Sequence, residues 1–216
     1  MKRRTLIDSR DLALPRPLFR KLVRQVRALK TERLHSTYQT TFWWPRGVEP
    51  QSLVELAIAH LEKPLRLPKS VVGIEWWLSR MRTSNVKVDF HRDCDERLSR
   101  RGGAEVHPWK SSVLFLNRCR GGLLAVTKHP PNPKNVACAP DVLDFDFAVP
   151  HPNRYVHFDG RLTHGVLDAR DELPLKRLPP EPDLRLAIAI NYWKHRPTDV
   201  PTFAESRAYR RLAIRH

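Results

Sequence analysis

Between Val88 and Glu96 the chain reads VDFHRDCDE, four carboxylates and one imidazole in nine residues. His91 and Asp93 stand two apart, and in an extended segment side chains at i and i+2 leave the backbone on the same face. An imidazole and a carboxylate presented together can hold a metal ion, or they can belong to an ordinary acidic turn. Asp89 shares their parity but lies further back along the segment. Cys94 has the opposite parity, which reads as a packed or surface thiol, and Asp95 and Glu96 read as solvated turn residues. The pair gains weight only if another element brings a second imidazole to it.

The chain has ten histidines to supply one. His164, in HFDGRLTHGV, follows an Asp-Gly turn and opens a short apolar strand, so a rigid element would place its ring. His157 ends the preceding strand and competes with it. His107, His129 and His151 each stand beside proline in loop sequence and are weaker candidates. Two imidazoles and one carboxylate on one face of an octahedron leave three adjacent positions open. That ligand set suits a non-heme Fe(II) site that takes a cosubstrate and O2.

Holding such a set requires stiff elements, and the sequence after Pro68 supplies them. VVGIEWWLSRMR, VKVDFH, SSVLFLN, LLAVTK, RYVHFD and LRLAIAINYW are short β-branched or aromatic runs separated by turns such as RRGG, CRGG and HPPNPKN. This spacing predicts an antiparallel sandwich or barrel. Before it, Leu18, Leu22, Val26 and Leu29 recur at helical spacing within residues 16–30. Residues 52–62 predict a second helix, with Ser52 and Glu55 as a capping box and Leu53, Leu56, Ala57, His60 and Leu61 along one side. TYQTTFWWP between them predicts a strand. The expected class is α+β, mainly β, in one domain. An N-terminal extension spans 1–68, the β core 69–197, and a basic tail 198–216.

In order and spacing, HRD, HPWKSSVLFLN, GG, FDGRLTHGV and RLAIAINYW resemble the Fe(II)/2-oxoglutarate-dependent dioxygenases, most closely their prolyl-4-hydroxylase-like branch. The resemblance covers about residues 70–196. It implies a double-stranded β-helix, the jelly-roll or cupin-like fold, with His91, Asp93 and His164 as catalytic iron ligands. Arg185 becomes the partner of the 2-oxoglutarate distal carboxylate, since a guanidinium grips a carboxylate with two parallel hydrogen bonds and stays charged when buried. Arg161 and Arg170 are its rivals. The implied reaction couples decarboxylation of 2-oxoglutarate, with O2, to oxidation of an unactivated C–H bond, by default a hydroxylation.

The chain departs from that pattern twice. His164 and Arg185 are 21 positions apart, further than the family usually separates these groups, so residues 168–184 read as an inserted loop over the site. The position two after Arg185 is Ala187, where many members carry a hydroxyl as a second carboxylate contact. That contact must come from elsewhere.

Composition sets the remaining bounds. The net charge is +16, with 39 Lys and Arg against 23 Asp and Glu. It admits nucleic acid, an acidic partner or an anionic substrate, or it is only a basic surface. Cys94, Cys119 and Cys138 form no CxxC pair, which suggests neither a disulfide framework nor a zinc knuckle and fits a reducing, cytoplasmic setting. No apolar run approaches the length of a membrane span. The expected substrate is a small metabolite or amino-acid-like molecule, with Trp43, Trp44, Trp76, Trp77 and Trp109 as a candidate aromatic wall. The alternatives are a peptide or protein hydroxylase, a nucleic-acid oxygenase, or an inactive basic β-barrel that serves as a binding module.

Overall fold

The computed structural model describes residues 5–29, 40–86, 88–131, 144–173, 183–206 and 208–214. The elements in order are β1 (Asp8–Arg10), α1 (Arg16–Arg27), β2 (Thr41–Pro45), α2 (Leu53–Glu62), β3 (Gly73–Arg82) and α3 (Glu96–Arg100). They continue with β4 (Lys110–Phe115), β5 (Leu124–Thr127), β6 (Phe145–Ala148), β7 (Arg154–Asp159), β8 (Thr163–Val166) and β9 (Leu184–Trp193). The architecture is mainly β. A six-stranded antiparallel sheet runs in the order β1-β7-β4-β9-β3-β2, and a three-stranded sheet runs β6-β5-β8.

The two faces of the large sheet carry different chemistry because side chains alternate along each strand. On one face Ile74, Trp76, Leu78, Leu186, Ile188, Ile190 and Tyr192 pack against Leu22 and Val26 of α1 and against Val54, Ala57, Ile58 and Leu61 of α2. Truncating one of these, such as Leu22, would cost about 2–5 kcal/mol through lost burial and the cavity left behind. On the other face Val113, Phe115, Val156, Phe158 and Ala187 meet Leu124, Val126 and Ala148 of the small sheet. The inner face is therefore where the two sheets close on each other.

Local signals place the helices. Pro15 and Pro17 flank the start of α1. In α2 the Ser52 hydroxyl accepts from the Glu55 amide, and the Glu55 carboxylate accepts from the Ser52 amide, so the expected capping box forms. Val54 and Ile58 are buried with the expected Leu53, Ala57 and Leu61, while the expected Leu56 and His60 are only partly buried, so the packed stripe is turned toward Val54 and Ile58. The run 86–91 is not a regular strand. Among its described residues His91 forms a single β-bridge to His164, and the Val88 carbonyl accepts from the Val166 amide at 3.4 Å. Asp95 is buried rather than solvated: it caps α3 by accepting from the Leu98 amide and also accepts from the Thr198 amide and hydroxyl. The described residues beyond 198 include Phe203 and Leu212, both buried in the outer-face core.

Candidate metal and cosubstrate site

The site begins with the bridge between His91 and His164. His91 N donates to His164 O at 3.0 Å, and His164 N donates to His91 O at 2.9 Å. Directly paired antiparallel residues send their side chains to the same face. Their rings accordingly lie 4.5 Å apart between centroids. His164 owes its inward direction to β8, where it sits opposite Val126 of β5, an inner-face core residue.

Asp93 completes the cluster. His91 Nε2 is 3.4 Å from Asp93 Oδ1, and His164 Nε2 is 3.4 Å from Asp93 Oδ2. One ligand atom from each of the three residues lies within 4.8 Å of the other two. Among the described residues this is the one His, Cys, Asp or Glu grouping with such spacing. Cys94 and Asp89 are not part of it. Burial works against the Asp93 carboxylate, but the imidazoles of His164 and His91 hold its pKa well below the usual range. Burial pulls His91 down, yet its hydrogen bond to Asp93 and the charge there carry it up to about 9. A bound cation would take over this pairing of the Asp93 carboxylate with the imidazoles.

The contacts behind these groups fix their orientation. His91 Nδ1 lies 2.7 Å from the Asp89 carbonyl, and His164 Nδ1 lies 3.2 Å from the Leu162 carbonyl. A ring whose Nδ1–H is held by a carbonyl presents the Nε2 lone pair, which is the arrangement metal-binding histidines use. Ser111 Oγ donates to Asp93 Oδ2 at 2.9 Å, and His107 Nδ1 lies 2.7 Å from the Asp93 carbonyl. The His91 side chain remains 41% exposed while those of Asp93 and His164 are 12% and 10% exposed, so the cluster opens on its His91 side.

Arg185 faces the same interior. It lies on the inner face of β9, two residues before Ala187, which packs against Val126. It is 2% exposed, with Nε donating to the Gly122 carbonyl at 2.9 Å and Nη1 donating to Ser79 Oγ at 3.1 Å. The guanidinium carbon lies 5.2 Å from the Phe115 ring centroid. Among the described residues no carboxylate pairs with it. Burial pulls its pKa down to about 10, opposed by the Cys119 thiol nearby, so it still carries charge at neutral pH. A buried cation without an anion is costly, and an anionic ligand would relieve that cost.

The CRGG turn shapes this cradle. Gly122 has φ +71°, and a Cβ there would stand 2.8 Å from Arg185 Cδ. Ser79 sits opposite Ala187 in the β3–β9 register. The hydroxyl missing two positions after Arg185 is thus present across the strand pair.

The rival residues lie elsewhere. Arg161 pairs with Asp159 on the surface, and Arg170 pairs with Asp168 and Glu172. His157 faces outward toward Asp8, and His129 pairs with Asp144. Most of the expected tryptophan wall is core: Trp44 and Trp76 are buried on the outer face, Trp109 packs beside them, and Trp43 packs on Trp193 and Val200. Trp77 is the half-exposed member on the inner face. Beside it, Glu75 accepts from Trp193 Nε1 at 3.0 Å. Burial first, then the charges of Asp93 and Asp95, push Glu75 up to about 7. Of the expected inserted loop, residues 174–182 lie outside the described residues, as does Cys138.

His107 and Ser111 lie in the HPWKSSVLFLN run, His107 as one of the weaker candidate histidines, but nothing there assigns them to Asp93. Ser79 and Glu75 have no motif to announce them, and their one signal is shared parity on a strand that pairs with the strand of Arg185.

No family model and no curated protein sequence matches the chain. Solved structures do resemble it. An oxidoreductase of the 2OG-Fe(II) oxygenase family from Burkholderia pseudomallei is 14% identical, with 91% of this chain and 88% of that chain covered and a TM-score of 0.53. A prolyl 4-hydroxylase from Phytophthora capsici is 13% identical, with 92% of this chain but 61% of that longer chain covered and a TM-score of 0.50. A prolyl-4-hydroxylase from Pseudomonas putida is 17% identical over 88% and 89% of the two chains, with a TM-score of 0.49. At these identities the first two establish a shared fold.

Proposed function

We propose that the chain is a non-heme Fe(II)- and 2-oxoglutarate-dependent oxygenase built on a double-stranded β-helix. It would oxidise, by default hydroxylate, a C–H bond of a small amino-acid-like substrate. The observation that carries this reading is the pairing of an open His91–Asp93–His164 cluster with a buried Arg185 that has no acidic partner among the described residues, both facing one interior. A structural metal site needs no buried guanidinium facing it, and an inactive barrel needs neither.

The residues fit the groups the reading requires. His91, His164 and Asp93 would hold Fe(II), their donor atoms turned inward by the Asp89 and Leu162 carbonyls and by Ser111. Three protein ligands leave positions free for a chelating cosubstrate and O2. Bound iron and 2-oxoglutarate supply the oxidising power, with release of succinate and CO2. Arg185 would receive the distal carboxylate of 2-oxoglutarate, and Ser79, already hydrogen-bonded to Arg185, would provide the second contact. Phe115 and the aliphatic inner face exclude water around that carboxylate, which strengthens its pairing with the guanidinium.

For the substrate, the half-exposed Trp77 and Glu75 of β3 offer an indole face and a carboxyl group on the inner face. These suit a small molecule with a basic nitrogen, and they favour it over a nucleobase. The test of the function is Fe(II)-dependent conversion of 2-oxoglutarate to succinate in air, measured without added substrate and then with free amino acids. Turnover that needs iron and disappears in His164→Ala supports the proposal. Iron-independent turnover, or none under any condition, contradicts it.

A further inference from the structure

We propose that α1 and the turn at Arg210–Leu212 form one docking surface for the phosphate backbone of a nucleic acid, on the side of the large sheet opposite the metal site. Arg16, Arg20, Lys21, Arg24 and Arg27 are all exposed on α1, and the helix contains no acidic residue. None of the five makes an ion pair among the described residues. Arg16, Arg20 and Arg24 repeat every four positions, about 6 Å of helix rise per step. Like charges at that spacing destabilise an isolated helix, so the stripe carries a cost that an anionic ligand removes.

The second observation comes from the fold. The chain's other basic concentration lies near its C-terminus, and the turn Arg210–Leu212 packs against α1. Leu212 is buried in the same core as Leu22 and Val26, while Arg210 and Arg211 are exposed. Two basic segments far apart in sequence thus meet in space. Six of the seven cations are arginine, whose planar fork matches a phosphate group.

The surroundings select the ligand. The apolar stripe of α1 is buried in the core on the outer face of the large sheet, so the helix has no apolar face to insert into a membrane. Among the described residues the exposed large apolar side chains are Leu12, Val48, Val72, Phe147 and Val149, none of them in α1 or the turn. A protein partner would need apolar anchors at the centre of its interface. A regular polyphosphate needs none. With no aromatic ring exposed on the stripe, contacts would reach phosphates rather than bases, and binding would be indifferent to sequence. The bound polyanion lies across the sheet from the metal cluster, so it is a tether and not the oxidised substrate. The inference is independent of the oxygenase reading.

The experiment is a fluorescence-anisotropy titration of the full chain with a short end-labelled DNA duplex of arbitrary sequence, repeated over a salt series. The wild type should bind with steep salt dependence. The triple variant R16Q/R20Q/R24Q should bind about tenfold or more weakly, with its log–log salt slope shallower by about two to three. R210Q/R211Q should reduce the slope by about one to two, and it keeps the test open if the triple variant fails to fold. Wild-type failure to bind at low salt, or unchanged binding in both variants, would overturn the proposal. Equally tight binding to polyglutamate or to phosphatidylserine vesicles would overturn it as well.

Discussion

The backbones of His91 and His164 are hydrogen-bonded to each other in both directions, at 3.0 and 2.9 Å, and that single bridge sets their rings 4.5 Å apart. Neither ring could be moved to a neighbouring position without turning to the opposite face. His164→Ala or His91→Ala should weaken Fe(II) binding by about 100-fold or more, by analogy with the loss of a ligand or its support. His157→Ala, on the outer face, should leave it unchanged. Isothermal titration with Fe(II) under anaerobic conditions reads the difference.

Ser79 and Arg185 form the second relationship. The hydrogen bond from Arg185 Nη1 to Ser79 Oγ measures 3.1 Å and joins two buried side chains. Ser79→Ala should raise the Kd for 2-oxoglutarate by about five- to tenfold, the worth of roughly 1 kcal/mol of hydrogen bonding. Arg185→Met should raise that Kd by about 100-fold or more, the loss expected when a charged hydrogen-bonding partner is removed, whereas Arg161→Ala should not alter it.

Gly122 tests the cradle itself. Its φ of +71° and the 2.8 Å approach of Arg185 Cδ both oppose a side chain. Gly122→Ala should destabilise the protein by about 1–2 kcal/mol and should weaken 2-oxoglutarate binding more than Fe(II) binding. Loss of both to the same degree would mean that the turn supports the fold in general rather than Arg185 in particular.

Glu75 gives a pH dependence. Its folded pKa of about 7 lies above the ordinary value of 4.5, raised by burial first and by the charges of Asp93 and Asp95 second. A raised carboxyl holds its proton more tightly folded than unfolded. Its contribution to stability is therefore complete below about pH 4.5 and is lost as pH rises to about 7. Relative to wild type, Glu75→Gln should gain stability as pH rises from 5 to 8, by on the order of 2–3 kcal/mol. Denaturant titrations of the two metal-free proteins at each pH measure it, and a constant difference would remove Glu75 as the source.

Much of this was legible in the sequence because alternation is a strong signal. LRLAIAINYW became β9 residue for residue, since its two faces are both buried and neither tolerates a charge beyond Arg185. β1 went unseen: Asp8–Arg10 is a polar edge strand with no apolar pattern to mark it. α3 is likewise too short and too charged to show a period. The run VKVDFH looked like a strand yet contributes one bridge, because β-propensity reports a fit to a half-buried surface and not the presence of a partner. Asp95 looked like a solvated acid because nothing local announces its partner at Thr198. His91, Asp93 and His164 could be named from spacing and resemblance. Ser79 could not, since its hydrogen bond to Arg185 appears only when β3 is laid beside β9.

The most direct test of the oxygenase reading is spectroscopic. Fe(II) and then 2-oxoglutarate are added to the purified protein without oxygen, and the visible region is examined for the charge-transfer band of an iron-chelated keto acid. The account predicts a band in the wild type, its absence in His91→Ala, and its appearance in Arg185→Met only at much higher 2-oxoglutarate. An iron-loaded wild type that shows no band at saturating 2-oxoglutarate would contradict it.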